Sequence, residues 1–190
     1  MIEPMLHELR RMAGAGAVLA GALTVCTGCV PSPIDSTLWL QLDRQENVVY
    51  GIIGDRSLSP SDPKSFVDSL GDVAAYWDGA SSPDFIDPAV GTTVFYNVSE
   101  RADEFDDPVL DFDVFVTSGH RPDDNFGVSA WFAPSSVHTC YRLSVTFVAD
   151  RVWNHARSHD YGEDKLVCPL ELVDALSDGA QYREPWEFDG

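Results

Sequence analysis

The chain has 190 residues, with 31 Asp and Glu against 12 Lys and Arg, giving a formal net charge of −19 at neutral pH. So acidic a surface repels nucleic acid and anionic headgroups, which excludes both as ready partners and leaves cations, basic proteins or uncharged small molecules. Five Trp, ten Phe and six Tyr are enough apolar material to exclude a disordered chain.

In chain order, a short polar stretch ends at Arg10 and Arg11 and is followed by an apolar run from Met12 to Val25. That run of 14 residues is short of the ~20 a transmembrane helix needs. Small residues then lead into Thr27-Gly28-Cys29. This three-part pattern resembles the bacterial prolipoprotein signal, with Cys26 standing where that family usually has Leu. A second box, Leu23-Thr24-Val25-Cys26, places a bulky Val before its Cys and fits less well. The resemblance implies cleavage before Cys29, a diacylglyceryl group on its thiol, and an extracytoplasmic protein held on the cell membrane. Two acyl chains satisfy the requirement for stable anchoring. Residues 1–28 then form the signal, 29–36 a lipidated tether with Pro31 and Pro33, and 37–190 a single domain. Glu3 and Glu8 cancel Arg10 and Arg11 in the signal, so the whole net charge of −19 falls on the mature part.

Within the domain, Leu38, Leu40 and Leu42 alternate with Trp39, Gln41 and Asp43, and Val48–Ile53 is continuously apolar; together they predict an opening β-hairpin. Asp62-Pro63 predicts a helix start, and Phe66, Val67, Leu70, Val73, Ala74 and Trp77 carry one apolar face to a stop at Gly79. Strands are expected at Thr92–Val98, Leu110–Thr117, Gly127–Ala133 and Tyr141–Val148. Arg151–Ala156 reads either as an extension of the last strand or as a short helix, Lys165–Cys168 as a brief strand, and Pro169–Leu176 as a second helix. The tail from Gly179 is polar apart from Trp186 and Phe188. The pattern is that of an α+β domain: an antiparallel sheet of about five to seven strands with one or two packed helices.

Cys140 and Cys168 remain after the signal cysteines, and outside the membrane a lone pair most often forms a disulfide. The acidic run Asp103–Asp107, with Asp106 and Asp107 at its end, offers oxygen ligands for a hard cation, but the Asp-x-Asp-x-Asp-Gly loop is missing and a solvated loop followed by a polar strand face is the plainer reading. Asp111 and Asp113 fall on one strand face. His155 and His159 have helical zinc-ligand spacing without the further ligands a site requires. His120 and His138 are isolated and expected in exposed loops. No nucleophile elbow, phosphate loop or cofactor motif is found. The leading expectation is therefore a non-catalytic module that binds a ligand or partner. A tethered metal-dependent hydrolase and an inhibitor or immunity-type protein are the alternatives.

Overall fold

The computed structural model describes residues 36–54, 60–121, 134–158, 166–176, 178–184 and 187. All described residues lie in one compact unit, Pro33–Gly190. Cys29, His159 and the expected strand Gly127–Ala133 lie outside the described residues.

The opening hairpin is not formed. Ser36–Gly54 is a helix, α1, with Leu38, Leu42, Glu46 and Val49 buried along one side. Their spacing is helical, and Leu40, which completed the apparent strand alternation, is 55% exposed. Val48, Val49, Ile52 and Ile53 are poor helix formers, so packing rather than propensity holds this helix.

A second helix, α2, spans Pro63–Gly71 and starts as expected, with Ser65 N–H donating to the Asp62 carboxylate at 3.0 Å. It stops well before Trp77. Glycine weakens its last position, and the N–H groups of Val73 and Ala74 turn back to Leu70 O. Ala75–Tyr76 then becomes strand β1, parallel to Val94–Phe95. The apolar residues that seemed to extend the helix instead seed a sheet edge.

Among the described residues the sheet has six strands, mostly antiparallel. After β1 come β2 (Thr92–Ala102), β3 (Pro108–Thr117), β4 (Ser136–Phe147) and β5 (Val152–Ser158), paired in that order. The Arg151–Ala156 segment neither extends β4 nor forms a helix: the chain turns at Ala149 and Asp150, both at positive φ, and comes back as the separate strand β5. Leu166–Cys168 is irregular rather than a strand, and helix α3 covers only Leu170–Asp174. The polar tail contributes β6, Ala180–Tyr182, which runs parallel to the start of β4.

Alternation along the strands builds two cores. Leu110, Phe112, Val114 and Val116 of β3 join Phe95, Tyr141, Leu143 and Val145 beneath α1 and α2. Phe66 reaches from α2 to Phe112 and Phe147, both ring centroids 5.9 Å away. Burying each such ring contributes about 1.5–3 kcal/mol. The opposite face holds Val94, Tyr96, Phe115 and Cys140 against Trp77, Ile86, Cys168 and Leu172.

Arg157 of β5 and Glu46 of α1 pair at 2.7 Å with both side chains about 90% buried, and the guanidinium lies 4.0 Å from the Tyr141 ring. Removing one partner of such a pair typically costs 3–5 kcal/mol, so this contact fixes how α1 sits on the sheet.

Candidate functional site

Strand β4 organises the second face. Cys140 and Cys168 lie at disulfide distance, Cα atoms 5.6 Å apart, as expected from their number and setting. The link ties the irregular Leu166–Pro169 segment and α3 to the middle of β4. Cys140 falls between the stretch of β4 that pairs with β6 and the stretch that pairs with β5.

Beside this staple is a groove of about 390 Å³ lined by His138, Leu166, Val167, Cys168, Leu170, Val173 and Tyr182. Its walls are almost wholly apolar. Val167 and Leu170 stand at 75% and 69% exposure, while His138 is only 4% exposed. The expectation of an exposed loop position for His138 is therefore overturned. His138 lies within β4, aligned with Thr117 of β3 on one side and Tyr182 of β6 on the other. Its carbonyl also accepts the Arg183 N–H at 2.9 Å. Phe115 and Tyr182 pack around the imidazole, centroids 5.7 and 5.9 Å away.

His138 Nδ1 is buried without a hydrogen-bond partner among the described residues. Burial lowers its pKa to about 4, so the ring is neutral at physiological pH. Tyr182 donates its hydroxyl to Glu184 at 3.1 Å, and burial together with that carboxylate pushes it up to about 12. Both ring systems of the groove are therefore uncharged at neutral pH, although the protein is strongly acidic.

Of the carboxylates singled out in the sequence, Asp103, Asp111 and Asp113 are engaged within the sheet and its turn. Asp103 closes the β2–β3 turn, its side chain accepting from the N–H groups of Phe105 at 2.8 Å and Asp107 at 3.0 Å. Asp106 takes the left-handed conformation there, φ 67°. The acidic run is thus turn chemistry, in which Asp serves because its short carboxylate reaches nearby backbone N–H groups.

Asp111 and Asp113 do share a face of β3, and both are taken by the sheet itself. Asp113, wholly buried, receives Arg142 Nε at 2.7 Å and Asn97 Nδ2 at 2.9 Å. Asp111 receives Arg101 Nε at 2.6 Å and the Ser144 hydroxyl. Asn97 has φ 52° at the β2 bulge, a conformation asparagine tolerates better than most residues.

His155 stands in β5, exposed and edge-on to Tyr50, so no helix presents it as a zinc ligand. His120 is exposed as expected. Among the described residues no group of three or more His, Cys, Asp or Glu is placed to hold a metal ion. Nor, among them, is any helix long and apolar enough to cross a membrane.

Comparison with family models, with curated proteins and with solved structures finds no match to this chain. The geometry of the groove is what a functional reading rests on.

Proposed function

We propose that this protein is a non-catalytic binding module of the extracytoplasmic envelope, held at the membrane by acylated Cys29, that takes a small ligand in the groove between β4, β6 and α3. One observation carries the reading: a groove of about 390 Å³ with almost wholly apolar walls and the exposed side chains of Val167 and Leu170 at its lip. Ligand sites have this character, mostly apolar walls with a few placed polar atoms, and volumes from about 300 Å³ upward. Of the features behind the hydrolase alternative, His155 stands in a strand edge-on to Tyr50 rather than on a helix, and Asp103 of the acidic loop is taken by a turn.

The test uses the full chain carrying Cys29→Ser, made under oxidising conditions, so that no acyl chain competes for the groove. Titration with N-phenyl-1-naphthylamine, a neutral apolar fluorophore, should give saturable binding of one probe per chain. Val167→Asp and Leu170→Asp change exposed side chains at the lip and should weaken binding tenfold or more, because they bring a charge against the entering apolar surface. Absence of saturable binding, or equal binding by both variants, would show that this groove is not a ligand site.

A further inference from the structure

We infer that the ligand of the groove is an amphiphilic cation, its apolar body seated in the groove and its positive group held at the rim by Glu171 and Asp174 of α3. The inference rests on the groove being a ligand site, as proposed above, and adds the chemical class of the occupant.

Helix α3 is a wall of two neighbouring hollows. Leu170 and Val173 line the apolar groove, while Glu171 and Asp174, each the next residue along, line a second hollow of about 390 Å³. Successive helical residues point about 100° apart and residues three apart share a side, so one flank of α3 is hydrocarbon and the other carboxylate. Asp84 lines the second hollow as well, from the segment before β2. Leu170, Glu171 and Asp174 are all exposed, so the apolar and acidic surfaces adjoin on the outer side of the helix.

The charge on that flank is not neutralised within the protein. Other carboxylates are met by arginines, Glu46 by Arg157, Asp111 by Arg101 and Asp113 by Arg142. Asp84, Glu171 and Asp174 have no such partner among the described residues, and Asp84 accepts only the Ser82 hydroxyl, at 2.7 Å. No Lys or Arg lines either hollow. An apolar groove bordered by unneutralised carboxylates is complementary to a molecule with an apolar body and a positive end. The positive group stays at the wetted rim and keeps most of its hydration while the body leaves water. The net charge of −19 draws such a cation toward the protein and repels an anion of the same shape. An uncharged molecule fills the groove but gains nothing from the rim.

Three probes of one length separate these cases: octylamine, 1-octanol and octanoate, kept below micellar concentrations and used to displace N-phenyl-1-naphthylamine from the full-length Cys29→Ser chain. Octylamine should bind about three- to tenfold tighter than octanol, the effect of two or three exposed charges, with octanoate weakest. Glu171→Gln with Asp174→Asn should bring octylamine to the octanol level and leave octanol unchanged. Asp68→Asn with Asp72→Asn removes the same charge from exposed positions on and just after α2, which packs on the opposite face of the sheet, and should keep the preference. That comparison separates the rim carboxylates from the charge of the chain as a whole. Equal affinity for octylamine and octanol, tightest binding of octanoate, or a preference that survives in the Glu171/Asp174 variant or is lost equally in both double variants would overturn the inference, while saturable binding of the fluorophore would still mark the groove as a ligand site. Absence of fluorophore binding would overturn both.

Discussion

At the scale of single residues, the burial of His138 has a consequence for stability. The unfolded chain protonates this imidazole near 6.5, whereas the folded chain does so only near 4. Between those values the unfolded state holds the extra proton, so acidification favours unfolding. The contribution is complete above about pH 6.5 and is lost as the pH falls toward 4, amounting to roughly 2–3 kcal/mol. Urea unfolding at pH 7 and pH 4.5 should show a larger loss for the native sequence than for His138→Phe. Parallel losses in the two proteins would mean that His138 ionises normally and is more open to water than the fold indicates.

His138 also shows where a sequence stops being informative about a site. It stands between Val137 and Thr139, without neighbours of obvious chemistry. Its companions Phe115, Tyr182 and Cys168 are supplied by β3, β6 and the stapled segment. A weak signal was present in the alternation of the Ser136–Phe147 segment, which extended as far back as Val137 would have put His138 inside a strand. Asp111 and Asp113, by contrast, were legible as a shared face because strand geometry alone decides that. Their arginine partners were not, because pairing across strands depends on register.

At the scale of elements, the disulfide determines whether the groove has a wall. Leu166–Pro169 has no regular structure and α3 is only five residues long, so neither would hold its position by itself. The link from Cys168 to Cys140, with a sequence separation of 28, supplies that restraint. Closing a loop of this size removes chain entropy worth about 3–4 kcal/mol from the unfolded state. Reduction, or the double replacement Cys140→Ser with Cys168→Ser, should therefore lower the thermal midpoint by several degrees and abolish binding of the naphthylamine probe. Retained probe binding after verified reduction would show that α3 docks without the staple.

The helices illustrate how local patterns compete. For α2 the start was readable, since Asp62 and Pro63 act through short-range geometry, but the end was not. Val73, Ala74 and Trp77 keep helical spacing on paper, yet Ala75 and Tyr76 gain strand pairing with β2 that a continued helix would forfeit. For α1 the error ran the other way. Leu38, Leu40 and Leu42 satisfy a strand over five residues, while the burial of Leu38, Leu42, Glu46 and Val49 follows the longer helical period. Glu46 obscured that stripe, because a carboxylate becomes an interior residue only when Arg157 is there to meet it.

At the scale of the whole molecule, the acidic charge and the proposed anchor act together. On the proposed anchor, a mature chain of net charge −19 is repelled by an anionic leaflet. Mass spectrometry of the protein purified from membranes of the producing cell should find an amino-terminal Cys29 carrying a diacylglyceryl group. An unmodified Cys29, or a chain still retaining residues 1–28, would remove the anchor from this account.

What the sequence determined by itself was the class of the domain, an α+β fold around a mostly antiparallel sheet, together with the Asp62 cap, the Cys140–Cys168 pairing and the loop at Asp103–Asp107. Each follows from composition or from contacts within a few residues, and the cysteine pair from the expectation that Cys26 and Cys29 belong to a signal. The tertiary structure alone decided that residues 36–54 are helical, that the polar tail adds β6 beside β4, and that His138 is buried in a groove. These depend on residues far apart in the chain meeting across the sheet. The free energy of those meetings, burial of apolar surface and pairing of strand edges, outweighs the preferences any short segment displays.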